Sequence, residues 1–251
     1  MSRELQRVVV RMLYDPAFVI AVYRDAAAAT ADIPLTAAQR RWLTEPDRRA
    51  WTIDRQRRAR TLAALIDEYP AVTRAAEAVD AFFSSTVFHR CIQTRGSLAL
   101  AYGRFVVDHF ADEPWVQALA QLELAIAHLR RRKAPALEAG QIALHRRVMP
   151  HWGPSGLADV YVAVMAGSRP PGDLIVERSE GLIAELGDGG AVSISKSSPE
   201  LFALLEAALT PLDRRELEKV ACGFGCDASE AHELLDDLLA EGLLASLGSS
   251  S

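Results

Sequence analysis

Apolar residues recur three and four apart through most of residues 1–135, the spacing that gathers them on one side of an α-helix. Leu5, Val8, Val9, Met12 and Leu13 form the first such stripe. Asp15-Pro16 predicts a new helix, with Asp as cap and Pro at the first helical position; Phe18, Val19, Val22 and Tyr23 are its apolar face. Thr36 predicts the cap of a short helix carrying Trp42 and Leu43, which Glu45-Pro46-Asp47 breaks. Next is an arginine-rich helix, with Arg55, Arg57, Arg58 and Arg60 facing out and Leu62, Leu65 and Ile66 facing in. Tyr69-Pro70 ends it, and Val72 to Phe83 follows. Ser84-Ser85-Thr86 opens a long helix lined by Phe88, Ile92, Leu98, Tyr102 and Phe105, with Gly96 and Gly103 placed for a close crossing. Glu113-Pro114-Trp115 starts another, running into Arg130-Arg131-Arg132-Lys133, where cations favour the helix dipole.

The pattern then changes. Residues 136–172 read as a connector: Ile142-Ala143-Leu144 suits a strand, and Pro150, Gly153, Pro154 and Gly156 suit a loop. Leu157 to Met165 fits a strand or a short helix, and Gly167 to Gly172 a linker. Three short apolar runs follow: Leu174-Ile175-Val176, Leu182-Ile183-Ala184 and Val192-Ser193-Ile194. Ser179-Glu180-Gly181 and Gly187-Asp188-Gly189-Gly190 separate them as turns. Three helical patterns come next, opened by Ser198-Pro199-Glu200, by Thr210-Pro211-Leu212-Asp213 and by Asp227-Ala228-Ser229-Glu230, the last two as capping boxes. The first carries Leu201, Leu204, Leu205 and Leu209. The last carries Ala231, Leu234, Leu235, Leu238 and Leu239 and stops at Gly242. The fold class expected is α+β: a helical domain over 1–135, the connector 136–172, and a small winged-helix-like domain of three strands and three helices over 173–246.

Charge changes what that second domain is expected to do. Between Leu174 and Ala245 stand 5 Lys/Arg and 15 Asp/Glu, against a net of −5 for the whole chain. The last helix carries Glu230, Glu233, Asp236, Asp237 and Glu241 and no Lys or Arg. A winged helix often reads DNA, but carboxylates repel phosphates, and base reading wants Arg, Asn or Gln. A transcription regulator with a helical sensor is therefore the weaker alternative. An extended peptide added to a strand edge is the better partner. Ala191, Val192, Ser193, Ile194 and Ser195 are expected to form that edge, with His232, Leu235, Asp236 and Leu239 as the groove beside it.

Catalytic signatures are missing. There is no Gly-rich phosphate loop, H-E-x-x-H or G-x-S-x-G. Cys222 and Cys226 lack the further ligands a zinc site needs; a third cysteine, Cys91, stands apart. No apolar run approaches the roughly 20 residues of a membrane span, and the start has no signal-peptide core, so a cytoplasmic protein is expected. His89, Arg90 and Arg95, with His145, Arg146, His151 and Trp152, suit a protein partner's surface, since Arg and aromatic residues are enriched at interfaces.

Two stretches carry a resemblance. Leu5-Gln6 through Met12-Leu13-Tyr14-Asp15-Pro16-Ala17-Phe18, and Phe82-Phe83-Ser84-Ser85 through Phe88-His89 to Arg95-Gly96-Ser97, resemble the MbnC/TglI-like helper proteins of ribosomal peptide natural-product (RiPP) pathways. The resemblance implies a helical N-terminal domain and a C-terminal domain like the RiPP precursor recognition element. It also implies pairing with a TIM-barrel multinuclear non-haem iron enzyme that oxidises a cysteine of a precursor peptide. On that footing the iron belongs to the partner, and this chain is a non-catalytic subunit with no cofactor of its own.

Overall fold

The computed structural model describes residues 2–52, 55–168 and 175–247. Its chain is a mixed α+β protein dividing into two units, Met1–Ala120 and Gln121–Ser251.

The first unit is helical: α1 Arg3–Tyr14, α2 Pro16–Arg24, α3 Ala26–Ala29, α4 Ala37–Thr44, α5 Arg55–Glu68, α6 Pro70–Ala75, α7 Val79–Ser84, α8 Thr86–Thr94, α9 Leu98–His109, with a 3₁₀ turn at Arg48–Thr52. Polar side chains set the helix starts as the sequence implies. Asp15 accepts from the Phe18 amide ahead of Pro16, and Ser85 accepts from the Phe88 amide. Thr36 and Gln39 form a reciprocal capping box. One core gathers Leu5, Val8 and Met12 of α1 with Phe18, Val19, Val22 and Leu43. Phe82, Phe83, Phe88, Tyr14 and Tyr102 form an aromatic knot, mostly edge-on, with centroids 4.8–6.0 Å apart. Edge-to-face pairs add roughly 0.5–1.5 kcal/mol each beyond simple burial. Phe88 and Tyr102 are fully buried, as expected. Three expectations fail here. The long helix from Thr86 is two helices: Arg95 turns left-handed (φ 53°) and Ser97 caps α9, so Gly96 lies in the break and not on a face shared with Gly103. Val72 to Phe83 is likewise split, between α6 and α7. Ile66 is 43% exposed, whereas Leu65 is buried.

The division between units falls within α10 (Pro114–Leu129), which opens at Pro114 as read but ends at Leu129, short of the basic run expected to form its last turn. Beyond it lie β1 Gln141–Leu144, β2 Val148–Ser155, α11 Leu157–Met165, β3 Ile175–Leu186, β4 Val192–Lys196, α12 Pro199–Ala207, β5 Leu212–Asp213, α13 Arg214–Gly223, α14 Ala228–Ala240 and β6 Leu244–Ser246. Two three-stranded antiparallel sheets result, in the orders β2-β3-β4 and β5-β1-β6. The connector is thus structured: 141–155 forms two strands and 157–165 a helix. Linker residues 169–172, and Leu174 of the first expected strand, lie outside the described residues. Ser179-Glu180-Gly181 is no turn but the middle of β3, so the three-stranded meander takes its first strand from β2. Thr210 to Asp213 does not cap α13. Leu212 and Asp213 pair with β1, and the Asp213 side chain caps nothing. Asp227 and Glu230 do form the capping box of α14.

Pro150 and Pro154 sit inside β2 without breaking it. Leu186 donates to the Arg147 carbonyl, so pairs two residues on, at 149/184, 151/182 and 153/180, exchange the hydrogen bonds. Both prolines fall between those positions on an edge strand, where no amide is needed. Gly181 has a different cause from the turn its sequence suggested: a β-carbon there would stand 2.5 Å from the Phe202 ring. Phe202 of α12 covers that spot and meets Trp152 at 4.2 Å between centroids. Beneath, Val148 and Ile183 join Ile142, Leu204, Leu205, Leu217, Leu235, Leu238 and Leu244 in one core. Gly181→Ala is therefore expected to cost about 1–3 kcal/mol by overpacking, and Phe202→Leu in the same chain to return part of it. Chemical denaturation of both variants checks this; additive losses would mean the ring is not the obstacle.

Candidate functional site

The edge expected from sequence exists, but its register reassigns the residues. Among the described residues β4 pairs with β3 alone. Gly187 donates to the Ala191 carbonyl (2.8 Å) and Ser197 to the Gly181 carbonyl (2.9 Å), which fixes the ladder's alternation. By that alternation Ser193 and Ser195 direct their backbone groups at Glu185 and Ile183. Val192, Ile194 and Lys196 direct theirs away from the sheet. Ala191 closes the hairpin and is exposed. Side chains follow the same alternation: Val192 and Ile194 are half-buried, Ser193 and Ser195 exposed. Val192 and Ile194 share their face with Leu182, the face on which α11 lies, for Leu157 of α11 crowds the same point above Gly153 as Leu182 does. Lys196 ends the strand, its Nζ 2.9 Å from Asp159 of α11 and 4.0 Å from Glu180.

The other half of the expected groove is altered. Leu235 has no accessible surface and belongs to the core, so it is not open to a ligand. Leu239 packs against that core, half-buried. His232 and Asp236 are exposed but engaged. Arg214 of α13 reaches Asp236 (2.6 Å), Glu218 (3.2 Å) and the His232 carbonyl (3.1 Å), and the His232 ring meets Glu218 at 2.9 Å. The Arg214 guanidinium and the His232 hydrogen bond hold Asp236 and Glu218, respectively, below the usual carboxylate range. The main neighbours of β4 are β3 and α11, and those of α14 are α13 and β6. Strand edge and helix face are thus built by different neighbours. Sequence reading missed Asp159, Lys196, Arg214 and Glu218. The helical spacing of Leu157 to Met165 was the one available signal for α11.

The residues proposed for a partner surface fall in both units. In the first, His89 and Arg90 line a cavity of about 350 Å³ between α1 and α8, whereas Arg95 sits at the α8 terminus outside its lining. His89 is 4% exposed and neither ring nitrogen makes a hydrogen bond. In the second unit, His145 and Arg146 lie between β1 and β2, and burial followed by the charges of Arg147, Arg146 and Arg132 lowers the His145 pKa. Trp152 is 49% exposed on β2, the edge opposite β4. His151 is half-buried: its Nε2 is buried and unbonded, and burial lowers its pKa to about 4.

Among the described residues no group of three or more His, Cys, Asp and Glu side chains is assembled to hold a metal ion, and no helix is long and apolar enough to cross a membrane. No family model matches the chain, and no curated protein matches it.

His89 makes the first unit acid-sensitive. Burial, then the charges of Arg11 and Arg7, lower its pKa from 6.5 to about 4, with Asp15 and the Phe83 carbonyl acting the other way. The unfolded chain takes up that proton near pH 6.5 and the folded chain only near 4. Stability is therefore full above pH 6.5 and is lost as pH falls toward 4, by roughly 2–3 kcal/mol from this group. His89→Phe is expected to flatten that part of the decline. Thermal unfolding of both proteins across the window measures it, and parallel curves would show that His89 titrates freely.

Proposed function

We propose that this chain is a non-catalytic subunit that captures an extended precursor (leader) peptide along β4 and presents it to a partner enzyme of the multinuclear non-haem iron class. The observation that carries the reading is the outward backbone of Val192, Ile194 and Lys196 on an edge strand. An incoming strand gains its hydrogen bonds there, while alternate side chains select the sequence. The order of β2-β3-β4 followed by α12, α13 and α14 suits a winged-helix-like recognition element. The exposed Glu233, Asp237 and Glu241 of α14 favour a basic segment over a nucleic acid. The N-terminal motifs resembling the MbnC/TglI-like helpers supply the expectation of an iron enzyme and a modified cysteine.

The test uses a labelled, extended peptide of basic character, followed by fluorescence anisotropy against the full chain. Ile194→Pro removes one outward donor and is expected to weaken binding about fivefold or more, since a net hydrogen bond contributes roughly 1 kcal/mol. Ile194→Ala, which keeps the amide, is expected to bind within about twofold of wild type if the side chain adds little to affinity. Ser193→Pro removes an amide bonded to Glu185 and is expected to lower thermal stability instead. Equal affinity in wild type and Ile194→Pro, with the fold intact by circular dichroism, rejects β4 as the peptide edge.

A further inference from the structure

The cavity between α1 and α8 does not enter the peptide reading, and its chemistry is specific. Arg3 and Arg7 come from one turn of α1, and Arg90 comes from α8. None of these guanidiniums forms an ion pair among the described residues. Glu4 is the single carboxylate in the lining, so the pocket is net cationic. Thr86 brings a hydroxyl. His89 also lines it, 4% exposed, with both ring nitrogens buried and without a hydrogen bond of normal geometry, although the Phe83 carbonyl lies close enough to favour the imidazolium.

A buried imidazole without a partner is costly, because an unmet polar group loses its hydration and gains nothing. Nearby arginines make matters worse by disfavouring the imidazolium. An anion in the cavity removes both penalties. It accepts a hydrogen bond from the ring and screens the guanidiniums from one another. Arginine forks match oxyanions with paired donors. Here the donors come from several directions: two helices, a hydroxyl and a ring. A planar carboxylate presents its two oxygens in one plane and leaves part of that set unused, whereas a tetrahedral oxyanion faces all of it. Three cations against one carboxylate also match a dianion.

We infer that the α1–α8 cavity is a binding site for a tetrahedral dianionic oxyanion of the phosphate class, held by Arg3, Arg7, Arg90, Thr86 and His89. The cavity is wider than a free phosphate needs, so a phosphomonoester fits the same chemistry. The site stands in the N-terminal unit and does not depend on peptide capture at β4.

Calorimetric titration of the full chain with inorganic phosphate near neutral pH and at low ionic strength is the direct test. One site per chain is expected. Arg7→Gln and Arg90→Gln are each expected to weaken it about tenfold or more, the loss of one charge-assisted hydrogen bond. Arg95→Gln, outside the lining, should bind as wild type does. Arg90 is exposed, so its variant keeps the test valid if Arg7→Gln fails to fold. The His89 ring Cε1–H resonance is expected to shift on saturation in wild type. Glycerol 3-phosphate in a second titration separates the sources: tighter binding than phosphate assigns the site to a phosphomonoester, and weaker binding to the free ion. Absence of phosphate binding, affinity unchanged in Arg90→Gln, or succinate binding as tightly as phosphate would each overturn the assignment.

Discussion

The C-terminal unit depends on one constraint: β3 uses its backbone on both sides. Odd-numbered residues from Gly181 to Gly187 bond toward β4 and even-numbered ones from Leu182 to Leu186 toward β2. A central strand so committed leaves its two neighbours as edges, and each edge is managed differently. β2 carries Pro150 and Pro154 at positions facing outward, which blunts it against further pairing. β4 has no proline and keeps three outward positions with full donor and acceptor capacity, guarded by Lys196 at the end. Unpaired edges are hazards that proteins usually cover or block. Blocking one and leaving the other open is the asymmetry that, in the proposed reading, makes β4, and not β2, the place for an added strand.

Both faces of β3 are also in use. Ile183 enters the core with Leu204, Leu205 and Leu235, while Leu182 lies against Leu157 of α11. The consequence for recognition is direct. An added strand would alternate between the α11 side, beside Val192 and Ile194, and the side of Ser193 and Ser195. Leu235 cannot serve as a specificity pocket because it is part of what holds the sheet to the helices. In the proposed reading, selectivity at this edge comes from α11, which packs beside β4.

Much of this was legible in the sequence where local chemistry decides the outcome. Asp15, Thr36, Ser85 and Asp227 each cap the helix their side chain was expected to cap, since that hydrogen bond is made within three residues. The stripe on α14 is buried as read. What could not be read is whatever depends on distant packing. Gly181 looks like a turn residue until Phe202, twenty-one positions on, is seen to occupy its missing side chain's place. Pro150 and Pro154 look like loop residues because edge position and hydrogen-bond parity are properties of a sheet, not of a segment. Arg95 broke an expected long helix by adopting a left-handed conformation that sequence assigns to Gly or Asn. The candidate site shared this division: the strand was identified, but which of its amides face outward followed only from the pairing of Gly187 with Ala191.

The acidity of the second unit needs the same local accounting. Glu230 is spent on the α14 cap, Glu218 and Asp236 on Arg214, Asp159 on Lys196, and Asp188 on Arg147 at 2.7 Å. Exposed pairs of this kind contribute little to stability, but they remove their carboxylates from the surface field at short range. On α14 what remains for a ligand is the row Glu233, Asp237 and Glu241, at helical spacings of four on its exposed side. Three charges of one sign on one helix face exert a field that reaches about a Debye length, roughly 8–10 Å at physiological salt. Such a field raises the rate at which a basic segment arrives and weakens as salt is added. It does not fix register. In the proposed reading register would come from the outward amides of β4, whose positions are set by the sheet and are indifferent to salt, so arrival and alignment would be governed by separate parts of the same small domain.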